Sequence, residues 1–301
     1  MSQDNVMMDE DAERPDGNRR GLLAGAGLSA LAVGALASGA TMLASGPANA
    51  QGLTDVDIFN FALNLEYLEA EYYLRGVTGR GLRDADTTGT GARGGVIGGR
   101  AVDFRSQALQ QTFTKIAVDE ELHVRLIRDV LGASAVARPT INFFDAFSDL
   151  ALAAGLVVPG QRFDPFADEV SFLLGAFVFE DVGVTAYGGA ANLISDRNLL
   201  AAAASILAVE AYHGGSVRTH IASLGGGEAA DKITFLRERL SGASDEGPLR
   251  LNGSNYNIAP TDRQALTFRR TPRQVLNIVY GARNSISGLF FPSGMNGTIR
   301  S

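Results

Sequence analysis

The stretch DEELHVRLI, residues 119–127, sets Glu120 three residues before His123, and VEAYHGGSVR, residues 209–218, repeats the spacing with Glu210 and His213. Two further acids stand in apolar surroundings: Glu66 in LNLEYLEAEYY, residues 63–73, and Glu180 in FVFEDVGVTAY, residues 177–187. On an α-helix positions i and i+3 share a face, so each Glu-x-x-His directs a carboxylate and an imidazole to one place. One Glu, one Glu-x-x-His, one Glu and one Glu-x-x-His on four helices make up the ligand set of a dinuclear metal site. In this reading Glu66, Glu120, His123, Glu180, Glu210 and His213 bind two iron or manganese ions, with Glu66 and Glu180 as the bridges. Six protein ligands for two metals leave positions open for dioxygen, peroxide or water. The chain has three histidines and two of them follow a glutamate by three residues, a coincidence with odds of roughly one in two hundred.

Helical periodicity surrounds each of these motifs. Ile58, Phe59, Ala62, Leu65 and Leu68 recur at helical spacing over residues 55–76, with a Thr54/Asp55 cap and Gly76 as the stop. A second helix is predicted over 103–131, with Phe104, Ala108, Leu109, Phe113, Ile116, Leu122, Leu126 and Val130 as its apolar stripe, a third over 166–194 and a fourth over 198–224. Between the second and third, residues 141–155 suggest a short helix ahead of the Gly-Pro-containing VVPGQRFDP. The fold class is therefore all-α: a four-helix bundle with a long crossover, spanning residues 51–226. Residues 77–100, rich in Gly, Thr and Arg, have no periodicity and are predicted to form a surface loop or short hairpin; no GK[ST] follows to make them a phosphate cradle. Residues 227–301 read as an irregular C-terminal extension with short helices over 231–240 and 272–280. Leu249, Ile258, Phe268, Val275, Leu276, Val279 and Phe290 supply enough apolar surface to pack it on the bundle.

The composition is that of a globular chain and narrows its partners. Of the 301 residues 46% are hydrophobic and 20% charged, ordinary values for a packed domain. A net charge of −7 argues against nucleic-acid binding, which needs clustered Lys and Arg. With no cysteine in the chain, any metal is held by carboxylate and imidazole, and disulfides, thiolates and iron–sulfur clusters are excluded. Residues 1–50 are predicted to be an export signal: Arg19-Arg20, a charge-free run from Gly21 to Ser45, then Ala48-Asn49-Ala50 at signal-peptidase spacing. The paired arginines and the Gly/Ala-diluted run favour the twin-arginine route, which delivers folded proteins to the periplasm or cell envelope with no stable membrane insertion after cleavage. An uncleaved anchor is the alternative reading of the same run.

The two halves resemble each other. Tyr73 follows Glu66 by seven residues and Tyr187 follows Glu180 by seven; Arg128 follows Glu120 by eight and Arg218 follows Glu210 by eight. A duplicated two-helix unit would set the helices about a pseudo-twofold axis. The match favours Glu66 over Glu69 as ligand, because the counterpart of Glu69 is Gly183; Glu69 and Glu71 are expected in supporting or surface contacts. His220 lacks the glutamate partner and reads as a surface or capping histidine. Tyr73 and Tyr187 are candidates to donate electrons or hydrogen bonds to the centre, or simply to pack. Four amphipathic helices with incidental buried acids are the plain alternative, but unpaired buried carboxylates each cost several kcal/mol.

With FALNLEYLEAEYYLRG (61–76), TFRRTPRQVLNIVYG (267–281) and FFPSGMNG (290–297) added to these motifs, the chain resembles the ferritin-like superfamily, and within it the desiccation-related ferritin-like proteins, over residues 55–297. The resemblance implies a bundle around a carboxylate-bridged dinuclear centre with the six ligands named above. The expected function is an exported protein whose iron or manganese centre reacts with oxygen or peroxide in stress protection, a catalase-like disproportionation being the version that needs no external electron donor. The alternative is a non-enzymatic desiccation-protective or metal-sequestering protein with a structural metal site. Self-association stays open; the extension and the Gly-rich loop argue against a hollow storage shell.

Overall fold

Side-chain caps set the starts of the four long helices. α1 (Asp55–Thr78) opens on a capping box between Thr54 and Asp57, α2 (Gln107–Leu131) on Ser106, α4 (Glu169–Ala190) on Asp168 and α5 (Arg197–Ser223) on Asp196, each cap accepting from backbone N–H groups of the first turn. In the computed structural model, which describes residues 52–243, 247–250 and 255–301, these helices form a bundle. α1 packs chiefly on α2 and α4 on α5, and α1–α4 and α2–α5 contacts close the four around a common interior. The predicted export segment, residues 1–50, lies outside the described residues. α4 is long and apolar enough to cross a bilayer by composition, yet most of it is buried inside the bundle, so its hydrophobicity serves the core.

The crossover between α2 and α4 carries the short α3 (Ala146–Ala154), and β1 (Val96–Ile97) pairs in parallel with β2 (Ile141–Asn142), Val96 opposite Ile141. Residues 77–100 thus form no hairpin. Beyond the end of α1, residues 79–100 are a structured flap pinned to the crossover, with Asp86 and Thr87 among its buried residues. After α5 come α6 (Gly227–Ser241) and α7 (Pro272–Val279). The extension is packed on the bundle: Leu249, Val275, Leu276 and Phe290 are fully buried, Phe290 lies between Phe147 and Phe179 at ring separations of 5.1 and 5.0 Å, and Asn296 exchanges hydrogen bonds with Asn64 of α1.

Three sequence expectations need correction. Gly76 does not end α1. It lies within the helix, where a Cβ would overlap the Phe172 ring of α4, so its role is close packing; the stop is Gly79, at φ 76°, whose N–H donates to the Arg75 carbonyl. On α2, Leu122, Leu126 and Val130 point outward with Val118, while Leu109, Phe113, Ile116, Val124 and Ile127 face the core. Two apolar stripes share this helix, and the inward one is the stripe flanked by Glu120 and His123. The second helix also begins at Gln107 rather than 103, because Ser106 takes the cap.

Candidate metal centre

All six residues singled out from the sequence converge in the middle of the bundle, each no more than 7% exposed. The His123 Nδ1 atom lies 3.3 Å from Glu66 Oε2, 3.4 Å from Glu120 Oε2 and 3.6 Å from Glu210 Oε1. The His213 Nδ1 atom lies 3.1 Å from Glu120 Oε1 and 3.6 Å from Glu180 Oε2. The ring centroids are 6.4 Å apart. None of these approaches is directed as a hydrogen bond. Glu66 Oε2, both oxygens of Glu120 and of Glu210, Glu180 Oε2 and both Nδ1 atoms are buried without a hydrogen-bond partner. Buried polar atoms are nearly always paired, and here the orphans all aim at one another, so the cluster is suited to a cation that would satisfy them together.

The carboxylate facing both imidazoles is Glu120. Glu210 belongs both to the group formed with Glu66, Glu120 and His123 and to a group with Glu69 and Glu180. The central acids are therefore those of the Glu-x-x-His motifs, while Glu66 and Glu180, expected as bridges, sit at the flanks beside His123 and His213.

The repeat explains what holds the flanks. The Tyr73 hydroxyl donates to Glu180 Oε1 and the Tyr187 hydroxyl to Glu66 Oε1, so each half's tyrosine orients the other half's glutamate. The arginines are duplicated in the same sense. Arg128 donates to the hydroxyl of Tyr67, the residue after Glu66, and to the Thr88 carbonyl; Arg218 donates to Asp181, the residue after Glu180, and to the Asn257 carbonyl. Each arginine thereby fastens an overlying loop to its half of the site. Asp181 is also paired with Arg237 of α6.

Asp119 is a contributor that the motif reading passed over. Its Oδ2 lies 3.1 Å from His213 Nε2, the ring nitrogen facing away from the cluster, and it also pairs with Lys115. A carboxylate behind an imidazole fixes its tautomer and orientation for metal binding. The available signal was an acid directly before Glu120, with Val209 at the matching place before Glu210. Glu69 is buried beside Glu180 and Glu210, facing the second half rather than His123. Glu71 is fully buried, not at the surface, in an ion pair with Arg138 and with Arg75 at 2.9 Å. His220, half-buried near the end of α5, lies 3.2 Å from the Thr112 hydroxyl.

The electrostatics follow from crowding carboxylates where water is excluded. Burial pushes Glu66, Glu180 and Glu210 up to about 8, against the pull of the nearby imidazoles. Glu120 goes the other way: burial would raise it, but contact with His123 and His213 outweighs that and holds it ionised. Burial would lower His213, yet the charges and contacts of Glu180 and Glu120 raise it to about 10, and His123 is raised by Glu66, Glu120 and Glu210. These shifts favour protons on Glu66, Glu180, Glu210 and both imidazoles, positive charge of the kind a bound cation would supply instead. Burial, joined by the adjacent carboxylates, keeps Tyr73 and Tyr187 firmly protonated.

A family profile described as a ferritin-like domain matches residues 54–223, from the α1 cap to the last residue of α5. Ferritin-like catalase Nec2 of Nesocodon mauritianus is 29% identical over 268 residues, covering 81% of this chain and 84% of its own. Desiccation-related protein PCC13-62 of Craterostigma plantagineum is 28% identical over 245 residues, covering 74% and 76%.

Proposed function

This chain belongs to the ferritin-like domain family, and from that premise we propose that its buried cluster holds two redox-active ions, iron or manganese, and consumes hydrogen peroxide. Glu66 and His123 would hold one ion and Glu180 and His213 the other, with Glu120 and Glu210 shared between them. The observation that carries this reading is the inward-facing set of buried oxygen and nitrogen atoms with no hydrogen-bond partner. A pair of such ions supplies two-electron redox chemistry, enough to convert two H2O2 into two H2O and one O2 with no outside donor. The protein's own part is to orient and exclude. Tyr73 and Tyr187 fix the flanking carboxylates, Asp119 fixes the His213 ring, and the packed helices keep bulk water from the centre. The similarity to a ferritin-like catalase supports peroxide as substrate. The twin-arginine reading of residues 1–50 puts the work in the periplasm or cell envelope, with the centre filled before transport.

A second reading draws on the similarity to a desiccation-related protein: the metal stabilises the bundle and does no chemistry. One experiment separates the two. Elemental analysis of the purified protein is combined with oxygen-electrode measurement of peroxide decay. Two equivalents of iron or manganese and one O2 released per two H2O2, both lost in His213→Ala, support the enzyme. Metal-loaded protein that only gains thermal stability and releases no O2 removes it.

A further inference from the structure

The two halves of the cluster are built alike but covered differently. Beside the first half the space is filled: Val124, directly after His123, is fully buried, Arg125 pairs with Asp86 of the flap, and Tyr67 lies beneath the loop that Arg128 fastens. At the matching positions of the second half stand Gly214, Gly215 and Asp181. There the structure leaves a pocket of about 60 Å³, bounded by Asp181 and Thr185 of α4, Gly214 and Gly215 of α5, and Pro260 and Phe268 of the extension. That volume accommodates about two water-sized molecules.

The two glycines line the pocket, and Gly214 is its part next to the centre. A Cβ on Gly215 would meet nothing within 4 Å, so the position faces open space. Gly214 is buried next to His213, and a Cβ on it would lie 3.7 Å from Asp181 Oδ1 and 3.7 Å from the Glu180 Cβ, which makes its bare backbone the inner wall. The outer wall is a strap tied down at both ends. Arg218 holds the Asn257 carbonyl at 2.7 Å; at the far end the Arg270 N–H donates to the Thr185 carbonyl at 2.9 Å, and the Arg270 guanidinium to the Thr185 hydroxyl at 2.7 Å. Gly189 makes room for that second tie, since a Cβ there would collide with the Arg270 carbonyl. Between the ties Ile258 and Phe268 are only half-buried, while Thr185 and Arg270 beneath are covered.

We propose that this pocket is the port through which small ligands of hydrogen-peroxide size reach the cluster, and that Gly214, Gly215 and the strap set the size admitted. The inference rests on the reading of the cluster as a metal centre. The port serves the His213 half of the site.

The test uses metal-loaded protein and azide, a small anion whose binding to the centre is followed by absorption in stopped flow. Gly215→Leu keeps helical propensity and directs a side chain into the pocket. The expected result is azide association and dissociation both slowed, on the order of tenfold, with Kd, metal content and thermal midpoint unchanged, and with Gly215→Ala intermediate. Phe268→Ala, which thins the strap, speeds both rates. Unchanged rates in Gly215→Leu, or a changed Kd with unchanged association, overturn the port. The catalase reading fails separately: wild-type protein that binds azide but never consumes peroxide removes the activity, while the azide rates still judge the port.

Discussion

Asp119→Ala should weaken one metal equivalent and spare the other. For His213 Nδ1 to bind a metal, the ring proton must sit on Nε2, and Asp119 Oδ2, 3.1 Å away, is the group that accepts it. Asp119 is ionised for this role: burial would raise its carboxyl, but Lys115 and His213 hold it below the ordinary value. Removing it frees the tautomer and the ring orientation together. Loss of such a supporting carboxylate weakens metal affinity about 10–100-fold, or about 1.4–2.7 kcal/mol. The His123 half has no such dependence on Asp119, and the residue that matches Asp119 in the repeat is Val209. Titration of metal-free protein in competition with a chromophoric chelator should therefore show two similar steps become unequal. Lys115→Ala, which removes only an exposed ion-pair partner, should change affinity by less than about 1 kcal/mol. Equal weakening of both steps, no weakening, or a Lys115→Ala effect as large as that of Asp119→Ala would refute the assignment.

Gly183→Ala would bring a Cβ against Glu210 Oε2; elemental analysis should find fewer than two metal equivalents in a protein that still folds, because alanine favours the helix. Arg138→Met leaves the fully buried Glu71 with Arg75 alone, and denaturant titration should show a loss of about 3–5 kcal/mol. The metal-free protein should lose stability as pH rises from 5 to 8. Its Glu66, Glu180 and Glu210 keep protons up to about 8 that the unfolded chain releases near 4.5, and His213 keeps its proton to about 10 against 6.5 unfolded. Both kinds of group bind more protons when folded, so the slope is downward, on the order of 1 kcal/mol per pH unit for each proton in the difference. Thermal midpoints at pH 5, 6, 7 and 8 check it, and a midpoint that climbs over this range contradicts the assigned protonation.

That Glu66, Glu120, His123, Glu180, Glu210 and His213 gather in one cluster was legible because two of three histidines carry a glutamate one helical turn before them, and helical spacing alone puts such pairs on one face. Which acids lie at the centre was not legible. Spacing says what shares a face within a helix, but Glu120 faces both imidazoles only because α5 sets His213 against α2. The same limit explains Gly76: a glycine at a helical position reads as a stop until Phe172, nearly a hundred residues on, is known to need the space. On α2 the residues 118, 122, 126 and 130 recur as regularly as 109, 113, 116 and 127, so periodicity alone could not choose the inner stripe. The pairing of residues 96–97 with 141–142 was hidden because two-residue strands have no period to detect.

The duplication that made the cluster readable also shows where its halves have parted. The crossed tyrosine bonds and the two loop-holding arginines are the parts kept alike, and they fix the flanking carboxylates and the covers over them. The differences fall on one side. A carboxylate backs His213 where the repeat would give His123 a valine, and two glycines follow His213 where a buried valine and an ion-paired arginine follow His123. Asp181, bound by two arginines, takes the place of Tyr67. These differences gather on the second half, and under the proposed function the symmetry of the six residues serves the holding of cations while the asymmetry of their surroundings serves the approach of a small polar molecule from one direction.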